Sequence, residues 1–92
     1  MYSLFRTGQF KNDYKKCLKR KYNEEEIIVV FRHLTETGTV PETYKPHKLI
    51  GNYKGCLECH IKPNWLLIWL QDDENKEIEL QRTGTHADLF GK

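Results

Sequence analysis

Ninety-two residues leave room for one hydrophobic core, so residues 1–92 are expected to form a single domain. An apolar fraction of 38% with 30% charged residues fits a globular chain and argues against disorder. No run approaches the roughly 18 apolar residues that span a bilayer, and the first twenty lack a signal-peptide core, so a cytoplasmic protein without membrane contact is expected.

The formal charge of +2 conceals an asymmetry. Residues 1–22 carry Arg6, Lys11, Lys15, Lys16, Lys19, Arg20 and Lys21 against Asp13 alone, whereas the rest of the chain is net acidic. A basic end of this kind suits a polyanion or an acidic protein partner.

In chain order, Tyr2 to Arg6 is a short aromatic and apolar run ending at Thr7-Gly8, which predicts a strand and a turn. From Gln9, Phe10, Tyr14, Cys17 and Leu18 recur with helical spacing among lysines, predicting an amphipathic helix. Asn23 followed by Glu26 has capping-box spacing, with Glu24 and Glu25 near the positive helix end. A second helix should start there, bury Ile27, Val30, Phe31 and Leu34, and stop at Gly38. The two helices would form a hairpin.

Gly38 to Gly55 contains Pro41, Pro46 and Gly51 and shows no sustained period, so it is expected to be a long loop, with Leu49 and Ile50 available to pin it to the core. Cys56–Ile61, Trp65–Leu70 and Glu77–Arg82 are strand candidates with short connections, which imply an antiparallel meander. The middle run is apolar at both parities, as in a strand covered on both faces. Gly84 to Lys92 should be a turn with a helical stub. The expected architecture is βααβββ, an α+β domain with a two-helix hairpin packed on a small, mostly antiparallel sheet.

Cys56-Leu57-Glu58-Cys59-His60 matches the haem-attachment signature C-x-x-C-H. Strand alternation opposes this use: Leu57, Cys59 and Ile61 share one face, and Cys56, Glu58 and His60 the other. A zinc site would need further ligands, and no second cysteine pair exists among the three cysteines, which are expected to remain thiols. No cofactor and no metal ligands are expected.

The same alternation leaves Glu58 beside His60 on the face away from the core, a polar pair that the fold itself does not require. His47 from the long loop, Trp65 at the start of the next strand, and Arg82 with His86 at the end of the last strand are candidates to converge there. RNA can be cleaved through its own 2′-hydroxyl, given a base, an acid and cationic stabilisation. Histidine suits proton transfer near neutrality and arginine suits phosphate, while Trp65 or Phe90 offers a stacking surface for a base. Arg82, however, shares the parity of Ile78 and Leu80, so it reaches this face only if the strand ends or bulges there. His33, inside the second helix, is expected to be structural.

Three blocks taken together resemble a known family: Tyr44-Lys45-Pro46-His47-Lys48-Leu49 with Gly51 and Tyr53-Lys54-Gly55; Glu58-Cys59-His60-Ile61-Lys62-Pro63-Asn64-Trp65; and Arg82-Thr83-Gly84-Thr85-His86 with Leu89-Phe90. They look like the YafQ branch of the RelE superfamily of toxin mRNA interferases. The resemblance implies a RelE-like fold and a ribosome-dependent endoribonuclease cutting mRNA in the A site of the small subunit, held silent by a cognate antitoxin. It implies catalytic roles for His47, His60, His86, Arg82 and Glu58, and substrate contacts for Trp65, Asn64, Phe90 and Lys54. His47 and His86 are then the base and acid in either order, with His60 and Arg82 positioning or neutralising phosphate. The family commonly carries Asp where this chain has Asn64, which cannot hold a negative charge. The alternative is therefore a catalytically weak RelE-like protein that binds antitoxin and ribosome without efficient cleavage.

Overall fold

The computed structural model describes residues 1–91; Lys92, the last residue of the expected tail, lies outside the described residues. A first strand, β1 (Ser3–Arg6), leads into α1 (Gly8–Lys19). Thr7 caps α1, its hydroxyl accepting from the Phe10 N–H, so the helix starts one residue before Gln9. The second helix, α2 (Glu24–Thr37), is capped by Asn23 and ends at Gly38 in the left-handed conformation. The capping box is only half made. Asn23 accepts from the Glu25 N–H, but the Glu26 carboxylate pairs with Lys62 at 2.7 Å instead of reaching back to its own helix end.

The segment expected to be a structureless loop holds short regular pieces. These are a 3-10 turn at Glu42–Tyr44, the two-residue strand β2 (His47–Lys48), and a 3-10 turn at Gly51–Tyr53. Two residues are too few to register as a periodic signal, and β2 is stabilised by pairing rather than by its own sequence. Leu49 packs inward as expected, but Ile50 is 89% exposed and pins nothing.

The meander follows as β3 (Leu57–Lys62), β4 (Trp65–Asp72) and β5 (Glu77–Gly84), and a short helix, α3 (His86–Phe90), closes the described chain. The strand order is β1-β5-β4-β3-β2, with β1 parallel to β5 and the other pairs antiparallel.

The sheet is covered unequally on its two faces. On one face α1 and α2 bury Phe10, Tyr14, Cys17, Ile27, Val30 and Leu34 against Cys59, Trp65, Leu67, Trp69, Ile78 and Leu80. On the other face Leu66, Ile68 and Leu89 form a smaller cluster, closed by Leu49, Tyr53 and Cys56. The alternation of β4 explains the double cover: Trp65, Leu67 and Trp69 point to the helices, Leu66 and Ile68 to the loop and α3. The smaller cluster is the floor on which the candidate site is built.

Candidate functional site

Strand register places the polar residues on that second face. His47 of β2 pairs with Glu58 of β3, Glu58 with Ile68 of β4, and Ile68 with Arg82 of β5, so these four form one row across the sheet. Arg82 stands two strand spacings from Glu58, about 10 Å. In the neighbouring row, His60 pairs with Leu66 and Leu66 with Gly84, two residues before His86.

Arg82 reaches this row because β5 bulges. Trp69 pairs with Leu80 but Ile68 with Arg82, so Gln81 is the extra residue, and it reverses the parity that would have sent Arg82 into the helical core. The guanidinium is then fixed by Asp13 of α1, with Nε donating to Oδ2 at 2.7 Å and one terminal nitrogen to Oδ1 at 3.2 Å. A third bond runs from Arg82 to the Tyr53 hydroxyl at 3.0 Å. Asp13 also accepts from the Thr83 N–H at 3.1 Å. The bonded Asp13 carboxylate is the main cause holding the Arg82 pKa above its ordinary value, against an opposing effect of burial. Three bonds use three of the five guanidinium N–H groups and leave two for an incoming anion.

Glu58 is 4% exposed and lies between two imidazoles. His47 Nε2 is 3.0 Å from Glu58 Oε1, and His60 Nε2 is 3.8 Å from the same oxygen. The second oxygen, Oε2, is buried without a hydrogen-bond partner among the described residues. His47 Nδ1 donates to the Lys45 carbonyl at 2.9 Å, so both of its ring nitrogens are engaged.

His86 begins α3, whose Thr85 cap forms a complete capping box with Asp88. The Asn64 amide oxygen accepts from the His86 backbone N–H at 3.0 Å and stands 2.8 Å from Nδ1. Because a backbone N–H only donates, the amide must turn its oxygen this way. Nδ1 then carries the proton and Nε2 is left free. The three rings form a file, with His60 lying 6.1 Å from His47 and 5.9 Å from His86 between centroids. Phe90, 41% exposed, extends the file at 6.4 Å from His86 and meets the Tyr53 edge at 5.8 Å.

The structure thus brings together His47, Glu58, His60, Asn64, His86, Phe90 and Arg82. It does not bring Trp65 or Lys54. Trp65 is 3% exposed, packs in the helical core against Tyr22, and donates its indole N–H to Thr83, so neither ring face is free to stack a base. Sequence parity cannot separate a strand's first residue at the mouth of a site from a core aromatic. Lys54 is exposed at the end of a 3-10 turn, with no contact to the histidines among the described residues. His33 sits on α2 against Tyr44, in keeping with a structural role.

The Cys56 and Cys59 thiols lie in opposite clusters, as alternation requires. Burial, reinforced by Glu58, pushes the Cys59 thiol up to about 12. His47, Glu58 and His60 offer one ligand atom each within 4.8 Å of one another, a grouping that could hold a metal ion. Asp13 and Tyr53, which fix Arg82, were also missed. Asp13 had a readable signal, since it follows Phe10 by three and precedes Cys17 by four, on the buried stripe of α1.

Residues 2–91 match the family model described as the bacterial toxin of type II toxin-antitoxin systems, YafQ. The chain is 37% identical over 86 residues to the mRNA interferase toxin YafQ of Escherichia coli K12, covering 92% of this chain and 91% of that one. Its fold superposes on YafQ in the E. coli DinJ-YafQ complex with TM-score 0.88 and 34% identity, over 99% of this chain and 100% of that one. A metal-bound toxin from Helicobacter pylori is similar too, with TM-score 0.88 and 29% identity over 98% of this chain and all of the other. The histidine file, the bulge that turns Arg82 and the near-complete match agree, and this chain belongs to the YafQ family of type II toxin-antitoxin toxins.

Proposed function

We propose that this chain is an mRNA interferase, an endoribonuclease that cuts mRNA in the ribosomal A site in the cytoplasm and is silenced by a cognate antitoxin. The observation that carries this reading is the file of His47, His60 and His86 over a floor that also presents Arg82. The E. coli relatives named mRNA interferase toxin, and the DinJ complex of one of them, support it.

Chemistry in this site runs through 2′-hydroxyl attack by general acid–base catalysis without a required metal ion. One of the two imidazoles bridged by Glu58 accepts the 2′-proton, and the carboxylate offsets the positive charge that the transfer creates. His86, in its imidazolium form, donates its Nε2 proton to the departing 5′-oxygen while Nδ1–H stays with the Asn64 amide oxygen. His60, central in the file, and Arg82, with two N–H groups to spare, stabilise the charge developing on the phosphate. Phe90 supports a neighbouring base by stacking.

Asn64 does not turn the reading toward a pure binder. Its amide oxygen takes both His86 contacts, a holding role that needs an acceptor rather than a charge. The basic first helix meets ribosomal RNA or an acidic antitoxin segment through Lys11, Lys15 and Lys19, because Lys16 and Arg20 are already engaged with Asp88. Induced expression tests the proposal: His86→Ala is expected to abolish growth inhibition while antitoxin capture is retained. Full toxicity of that variant would remove His86 from the mechanism.

A further inference from the structure

Beyond Asn64 lies a hollow that the proton transfers do not use. Tyr22, Asn23, Glu26, Lys62, Asn64 and Trp65 line an open cavity of about 470 Å³, within the roughly 300–1,000 Å³ usual for small-molecule sites. Its floor is aromatic. Lys21, left-handed at φ 67°, turns the chain after α1, and the Tyr22 N–H returns to the Cys17 carbonyl at 3.2 Å. Tyr22 is thereby laid against Trp65 at 4.8 Å between ring centroids, and the half-buried ring keeps part of its surface on the cavity.

The rim is polar. Asn64 turns its amide oxygen to His86, so its NH2 points away from that ring. Asn23 spends its oxygen on the Glu25 N–H, which likewise leaves an NH2 without a protein acceptor among the described residues. Glu26 gives Oε1 to Lys62 at 2.7 Å and keeps Oε2. Two amide donors and one carboxylate acceptor over an aromatic floor suit a nucleobase, and guanine in particular. Its adjacent N1–H and N2 amino donors match a carboxylate, while O6 and N7 accept from amides. Adenine and cytosine would turn a bare ring-nitrogen lone pair to the carboxylate, and uracil flanks its single N–H with two carbonyls.

Both walls of the hollow are braced to the helix that begins with His86. Arg20, two residues before Tyr22, donates to Asp88 of α3 at 2.6 and 3.0 Å, and Asn64 holds the His86 backbone from the other side. We propose that this hollow is a guanine-selective subsite for the message, with Tyr22 as the stacking platform and Glu26, Asn23 and Asn64 reading the edge of a splayed base. The subsite rests on the nuclease reading of the preceding subsection, since the base it takes belongs to the strand cut at the histidines. A carboxylate in place of Asn64 would offer no donor, so the amide at this position sets base preference as well as holding His86.

Free nucleotides probe the subsite without any cleavage. In NMR titrations of the full chain, GMP is expected to move the side-chain amide signals of Asn23 and Asn64, and to bind at least about fivefold more tightly than AMP, CMP or UMP. Tyr22→Ala should weaken GMP binding at least about fivefold, and Tyr22→Phe should restore it. Asn23→Asp keeps the α2 cap but removes the donor, so the folded variant should lose the preference for GMP, as should Glu26→Gln. Shifts confined to His47, His60 and His86, or an equal response to all four nucleotides, overturn the subsite and leave the nuclease reading standing. On ribosomes programmed with messages that differ at single positions around the A-site codon, the parent should cut fastest with guanine at one of them, and Asn23→Asp should level the rates there. Antitoxin capture lost in Tyr22→Ala and Asn23→Asp, with base preference unchanged, would assign the hollow to the antitoxin and overturn the proposal. GMP bound in the hollow by a chain that cuts no message would keep the base site and remove the nuclease reading.

Discussion

Replacing Asp13 by Asn tests how the fold holds Arg82. The Asp13 carboxylate receives two bonds from Arg82, one from the Thr83 N–H and one from Gln9 at 3.1 Å, and its side chain is 8% exposed. Asn preserves the shape but turns an amide donor toward a guanidinium that only donates. Breaking a fully buried pair costs about 3–5 kcal/mol, and since Arg82 keeps 22% side-chain exposure the loss here should be nearer about 2–3 kcal/mol. For a domain of this size each kcal/mol lowers the melting temperature by about 4–8 °C, so a drop of roughly 10–20 °C is expected. Thermal unfolding followed by circular dichroism on the antitoxin-free chain measures it. Ribosomal cleavage should fall about 10- to 100-fold in the folded fraction, because a loosened guanidinium loses its preset direction. A melting temperature within about 2 °C of the parent, with cleavage intact, would refute the assignment of Asp13 as the residue that positions Arg82.

Other expected outcomes follow from single contacts. The Arg20 guanidinium, donating to Asp88 at 2.6 and 3.0 Å, is the main cause holding that carboxyl well below the usual range, with burial opposing and Thr85 assisting. A depressed carboxyl pKa contributes stability above its unfolded value and loses it as the pH falls. Acid melts of the parent should therefore drop from about pH 4 downward, and less steeply in Asp88→Asn. Asn64→Asp keeps both acceptor contacts to His86 and adds a charge that favours its protonated form, so the alkaline limb of the pH–rate profile should move upward. An unmoved limb would mean that His86 does not act as the acid. Reversing Lys11, Lys15 and Lys19 together should weaken ribosome or antitoxin association and flatten its salt dependence, as filter binding across a salt series will report.

Much of the fold could be read from residue periodicity. Helical spacing in α1 and α2 and alternation in β3 located the main core, and the doubly apolar run of β4 announced its cover on both faces. Pairing was less legible. The two residues of β2 carry no period of their own, and the parallel docking of β1 beside β5 joins the two ends of the chain, where no local signal points to the partner. At the site, alternation placed Glu58 and His60 together, chain position made His47 and His86 candidates to join them, and the family resemblance implied their roles. The Gln81 bulge was foreseen only as a condition on Arg82. Trp65 was misplaced because a strand's first residue can serve either the core or the mouth of a site, and packing against Tyr22 decided for the core.

The account depends most on the chemistry of the cut, and product ends report it directly. Ribosomes carrying a defined message, treated with the purified chain, should yield fragments with 2′,3′-cyclic phosphate and 5′-hydroxyl ends, and His86→Ala should yield none while still binding the ribosome. Fragments with 5′-phosphate and 3′-hydroxyl ends, the products of attack by water, would contradict 2′-hydroxyl attack in this site.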